Sequence, residues 1–154
     1  MTEPRPEGLY FEEFYAGQSI EGPARTVTED DVMQFAELSG DHNPLHVDAE
    51  FARQTPYGQR IAHGLLGLSI VSGLLESAGF MRGTALAFIG LTWKFRAPIL
   101  FGDAIHFQAK ISKTRPVSAM GGGMVVLEMT VLNQHGRTVQ EGEWTVLMRS
   151  RPAG

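Results

Sequence analysis

The chain has 154 residues, 43% of them hydrophobic and 19% charged, with 13 basic against 17 acidic side chains and no cysteine. Such a length suits one domain that removes roughly two-thirds of its unfolded surface from water, and a net charge of −4 without any Lys/Arg block excludes the electrostatic footprint of a nucleic-acid binder. The lack of cysteine excludes a disulfide framework, a thiolate nucleophile and a Cys-ligated zinc, and it suits a cytoplasmic location.

Residues 1–8 are acidic and proline-bearing, which reads as a loose N-terminal arm and not a signal peptide; 9–150 form one domain and 151–154 a tail. The aromatic cluster Phe11, Phe14 and Tyr15 leads to Gly17, and a first strand is expected over Ser19–Val27. Thr28 can cap a helix whose first turn carries Glu29, Asp30 and Asp31, where the helix dipole favours negative charge. Val32, Phe35 and Ala36 recur at helical spacing and Gly40 is placed to stop it. Pro44 keeps Asp41 to His46 out of regular helix, and Asp48 can cap a short second one.

From His63 to Ala78 the residues are apolar nearly all round, broken by Gly64, Gly67, Gly73 and three serines. This composition predicts a central helix enclosed by other elements. Its uncharged stretch, Ile61 to Leu75, falls short of the ~17–25 residues that a membrane span needs. The period then changes to two. Ala87, Ile89, Leu91, Trp93 and Phe95 alternate with residues that become Thr92, Lys94 and Arg96, Ile105, Phe107, Ala109 and Ile111 alternate with His106, Gln108, Lys110 and Ser112, and Val125, Leu127, Met129 and Val131 repeat the scheme. Gly102-Asp103 and Asn133 to Gly136 supply turns, and Gly121-Gly122-Gly123 reads as a mobile hairpin segment because no helix follows it to hold an anion. Val139 has odd parity while Trp144, Val146 and Met148 have even parity, so a bulge is expected near Gly142. One long apolar helix with about five strands is α+β, a single antiparallel sheet wrapped around that helix, whose open rim is naturally covered by a second copy.

The densest polar group is Ser39 to His46, within which a proline-stiffened loop can turn Asp41 and His46 toward one water as an acid/base pair. An Asx-turn with a surface histidine is the bland alternative. A metal bound through His42 and His46, beside Asp41 and Asp48, is disfavoured because Pro44 interrupts the helix that would align two imidazoles four apart. His63-Gly64 opens the central helix, where free N–H groups can receive an oxygen that gains negative charge; tight packing at Gly64 and a His63 bond to a nearby carbonyl are the alternative. Ser72 either bonds back to its own helix or reaches the Asp41 carboxylate.

Phe35 through His46, with Asp48, Phe51 and Ala52 behind it and Arg60-Ile61-Ala62-His63-Gly64 before an apolar helix, resembles the MaoC-like dehydratases, which include (R)-specific enoyl-CoA hydratases. The likeness runs from about Gly8 to Arg149, and Gly-Asp-x-Asn-Pro-x-His is its most specific block. It implies a hot-dog fold, a homodimer as the minimal unit, and a 2-enoyl thioester substrate carried on coenzyme A or acyl carrier protein, with no cofactor beyond that carrier and no metal. Position by position it implies Asp41 and His46 as the catalytic pair, Asn43 as the residue shaping their loop, Gly64 as the oxyanion N–H donor with His63 before it, and Ser72 near the catalytic carboxylate. Double-length relatives carry a second such unit that this chain lacks. A hot-dog acyl-CoA thioesterase or a non-catalytic acyl-binding subunit are the competing functions, but neither uses the loop pair and the helix-start glycine together. Arg53, Arg60, Lys94, Arg96 and Arg115 are candidate contacts for the carrier's phosphates, with ordinary solvated charge as the alternative.

Overall fold

A computed structural model describes residues 5–153. Two short strands, β1 (Ser19–Glu21) and β2 (Arg25–Thr26), precede three short helices, α1 (Glu29–Ser39), α2 (Pro44–Val47) and α3 (Ala49–Arg53), and the long α4 (Gly64–Ser77). Four strands follow: β3 (Ala85–Phe95), β4 (Ala104–Val117), β5 (Gly122–Leu132) and β6 (Thr138–Arg149). The sheet is antiparallel in the order β1-β4-β5-β6-β3, with β2 also on β4. Its concave face holds α4: Leu66, Ile70, Val71, Leu74 and Leu75 share one buried cluster with Ile105, Phe107, Ile111, Leu127, Met129 and Trp144. This is the expected hot-dog arrangement.

The helix ends follow the local chemistry. Thr28 accepts from Asp31 N while the Asp31 carboxylate accepts from Thr28 N, a reciprocal cap, and Gly40 ends α1 in the left-handed region at φ 79°. In β4 and β5 the alternating apolar residues are the buried ones, as their spacing predicts.

Several expectations are corrected. The first strand is split, because Gly22 passes against the Phe107 ring, where a Cβ would sit 2.6 Å away, and Pro23 cannot donate to a ladder. The bulge in β6 falls at Val139: Val131 pairs with Gln140 and Leu132 with Thr138, leaving Val139 unpaired. Gly142 is regular and lies instead where a Cβ would run into the Thr92 carbonyl. Only Gly121 belongs to a turn, at φ 72°; Gly122 and Gly123 are buried strand residues pressed against Met148 O and the Phe11 ring. Pro44 does not exclude helix but begins α2, a position where its missing N–H costs nothing.

The central helix is not enclosed all round within one chain. Leu65, Ser69, Ser72 and Gly73 lie on an exposed face, and the edge strand β3 exposes Leu86, Phe88, Ile89, Leu91 and Phe95. Register shifts at Ala85/Ala87 and Phe88/Gly90 also break the simple alternation expected for β3. Of the arm expected over 1–8, residues 1–4 lie outside the described residues; Arg5 pairs with Glu13 at 2.6 Å, and Gly8 N–H donates to Arg82 O at 2.9 Å.

Candidate active site

The loop between α1 and α2 is built by short side chains bonding to nearby backbone. The Ser39 hydroxyl donates to Phe35 O and accepts from Asp41 N, Asp41 Oδ1 accepts from Asn43 N at 3.2 Å, and Asn43 Oδ1 caps α2 by accepting from Leu45 N at 3.1 Å. Asn43 thus shapes the loop from its interior. The Asx-turn of the bland reading is present, but it engages one carboxylate oxygen of Asp41 and leaves the other available. Asp41 itself is exposed and His46 half-buried.

One turn of helix is enough to aim His46. Its Nδ1 donates to Ile61 O at 2.8 Å; a carbonyl can only accept, so the neutral ring keeps its proton on Nδ1 and presents a lone pair at Nε2. Behind it lies His63, 2% exposed, whose ring stacks on that of His46 at 3.9 Å between centroids and meets Phe35 edge-on at 4.9 Å. His63 Nε2 donates to the Asp41 backbone carbonyl at 2.9 Å, tying the loop to the start of α4. Burial pushes the His63 pKa below its ordinary value against the opposing effect of that bond, which favours the neutral ring behind His46. On the surface, His42 pairs with Glu37 at 2.8 Å and its pKa is raised by that bond.

One ligand atom from each of Asp41, His46 and His63 lies within 4.8 Å of the other two. Two groups that each bond one water can stand ~5.6 Å apart, so Asp41 and His46 are close enough to hold a water between them. A metal is a poorer occupant. The stacked imidazoles are inclined by only 29°, so their in-plane lone pairs cannot converge on one ion at ~2.1 Å. His63 Nε2 and His46 Nδ1 are committed to carbonyls, which leaves His46 Nε2 and the buried His63 Nδ1 without protein partners.

Gly64 is the first residue of α4, so its N–H has no partner within the helix; His63, the cap residue, supplies no side-chain bond there. A groove of about 540 Å³ opens at this turn, lined by Ile61, Gly64, Leu65, Phe95, Arg96 and Gln140 among others. Asp41, Asn43 and His46 are not among its lining residues within one chain; His46 is joined to the lining residue Ile61 by the bond to its carbonyl. The Ser72 hydroxyl donates to Ser69 O at 2.6 Å, within its own helix, and does not bond Asp41. Of the candidate phosphate contacts, Arg96 lines the groove and pairs with Glu141, while Arg53 and Arg60 pair with Glu50 and Glu29 beside a smaller hollow.

Sequence reading missed Gln140. It is 1% exposed, its Nε2 donates to Gly64 O at 3.0 Å and its Oε1 accepts from Trp93 Nε1 at 3.0 Å. The signal was the broken parity of the last strand, which places Val139 and Gln140 side by side in the interior.

Comparison with known proteins gives the family of the chain and the solved folds that it resembles. The family described as MaoC like domain matches residues 13–133. An (R)-specific enoyl-CoA hydratase from Rhodospirillum rubrum is 33% identical over 142 residues, 92% of this chain and 93% of the relative. A 3-hydroxybutyryl-CoA dehydratase from Methylorubrum extorquens is 35% identical over 113 residues, covering 73% and 70%. Among solved structures, a monoamine oxidase regulatory protein from Archaeoglobus fulgius superposes with a TM-score of 0.87 at 36% identity, over 94% of this chain and 97% of that one.

Proposed function

Because the chain belongs to the MaoC-like domain family, we propose that it is a hydro-lyase that adds water reversibly to a trans-2-enoyl thioester, an enoyl-CoA, giving the (R)-3-hydroxyacyl thioester. The observation that carries this reading is the proximity of the Asp41 carboxylate and the His46 ring, with His46 Nδ1 held by Ile61 O so that Nε2 is free as a base.

In the hydration direction His46 Nε2 takes a proton from the water that Asp41 orients. The water oxygen bonds to Cβ, and the π electrons move through Cα onto the thioester oxygen. The Gly64 N–H, at the positive end of the α4 dipole, receives that charge. The Asp41–His46 pair then returns the proton to Cα; the two titrate as a unit. His63 holds the loop and the His46 ring from behind, and Asn43 keeps the loop closed. The reaction is redox-neutral and its protons are handled by these side chains, so coenzyme A or acyl carrier protein enters as part of the substrate and not as a resident cofactor.

The apolar face left open on α4 and β3 supports a homodimer, in which a second copy covers it. Among the described residues no helix is long and apolar enough to cross a membrane. The absence of cysteine supports a cytoplasmic enzyme.

The test is loss of the conjugated enoyl-thioester absorbance across a series from crotonyl-CoA upward, with chiral analysis of the product. An (R)-3-hydroxyacyl-CoA is expected. Thiol release from saturated acyl-CoA without hydration would assign a thioesterase instead, and binding without turnover an acyl-carrying subunit.

A further inference from the structure

We propose that Gln140 is the positioning residue of the oxyanion-binding turn, acting on it through the Gly64 carbonyl and held in orientation by the Trp93 indole. The inference rests on the hydratase reading above and extends it to a residue outside the loop pair.

Alternation continued from Trp144, Val146 and Met148 puts Gln140 on the core face and would turn Val139 outward. The bulge at Val139 buries both, at 0% and 1% exposure. Burying a primary amide is costly unless its polar atoms are bonded, and here both are. An indole N–H can only donate and a carbonyl can only accept, so Trp93 fixes Oε1 on one side and Gly64 fixes Nε2 on the other with no ambiguity of amide orientation. Space for the amide is made by Gly67, where a Cβ would stand 2.5 Å from Nε2.

The first turn of α4 needs such an anchor. Its cap residue makes no side-chain bond, and two of its first four residues are glycine, the residue with most backbone freedom to lose. Ends of helices fray. A bond from a buried amide on β6 to the Gly64 carbonyl fixes the 64–65 peptide plane and with it the direction in which the N–H groups of this turn face the groove. The peptide it polarises carries the Leu65 N–H, so Gln140 acts on the Gly64 N–H through the direction of the turn and not through donor strength.

An oxyanion donor is typically worth ~10²–10³-fold in turnover, and a residue that acts at one remove accounts for a fraction of it, about tenfold. The experiment measures kcat and KM with crotonyl-CoA, together with the carbonyl stretch of bound butyryl-CoA labelled with carbon-13 at the thioester carbon, which has no double bond to hydrate. Gln140→Met is expected to lose about tenfold in kcat with KM changed less than about threefold, and to shift the bound stretch back toward its value in water. Gln140→Glu keeps the acceptor for Trp93 and donates to Gly64 O only when protonated, so its kcat relative to wild type at the same pH should be highest at low pH and fall as that carboxyl ionises. Trp93→Phe should move kcat and the stretch in the same direction by less, and it serves if Gln140→Met does not fold. Folded variants with lowered Tm but unchanged kcat and unchanged stretch would overturn the proposal, leaving Gln140 a packing residue. A wild-type protein that hydrates no enoyl thioester would instead remove the hydratase reading, while the stretch still reports on Gln140.

Discussion

His63 and Gly64 are neighbours in the chain with opposite tasks, one buried behind the loop and the other opening the groove. Because burial lowers the His63 pKa, the unfolded chain binds a proton near pH 6.5 that the folded one refuses. The unfolded state then holds more protons, so the His63 contribution is intact above about pH 6.5 and is lost as pH falls toward the lowered folded value. His42 has the opposite shift, but it is common to any variant made at His63 and cancels in the comparison. Urea midpoints at pH 7.5 and 5.5 should therefore show the advantage of wild type over His63→Gln shrinking at the lower pH; an advantage that widens would contradict the assignment. At Gly64 an added Cβ would lie 2.7 Å from the Phe95 ring, a half-exposed side chain able to swing away. Gly64→Ala should leave the denaturation midpoint within about 1 kcal/mol of wild type, yet lower kcat/KM about tenfold or more by crowding the carbonyl's approach. Unchanged kcat/KM would separate Gly64 from the substrate.

Elements whose boundaries depend on local chemistry were readable in advance. The Thr28 cap, the Gly40 stop and the alternation of β4 and β5 each involve residues within a few positions of one another. Replacing Thr28 by Ala should cost ~1 kcal/mol in chemical denaturation, the usual value of such a cap; no loss would mean that α1 is held by packing alone. What escaped reading is set by distant partners. The bulge sits at Val139, while Gly142 makes room for the backbone of Thr92, 50 positions earlier, and the split first strand follows the Phe107 ring. In the site, Asp41, His46 and Asn43 were legible from one short block, whereas the bond from Gln140 to Gly64 spans 76 positions and left only a parity fault to notice. The reading of His63 as a residue that bonds a nearby carbonyl agrees with its bond to Asp41 O, whereas its stacking behind His46 is something only the folded chain can provide.

At the scale of the whole molecule, the open face of α4 and the apolar edge strand β3 are the chain's unfinished business. In solution the protein should sediment as two chains. A charge placed mid-edge by Leu91→Glu, where the side chain is 41% exposed in one chain, should shift it toward one chain and lower hydration together with assembly. A monomeric wild type of full activity would mean that this face serves something else. The central claim is that Asp41 and His46 jointly activate one water. It is tested most directly by the rate of crotonyl-CoA hydration in wild type, Asp41→Asn, His46→Gln and the double variant, each checked for fold by circular dichroism. Each single variant should fall by at least ~10²-fold and the double by little more, since the two act as a unit. Near-normal hydration by either single variant would contradict the account.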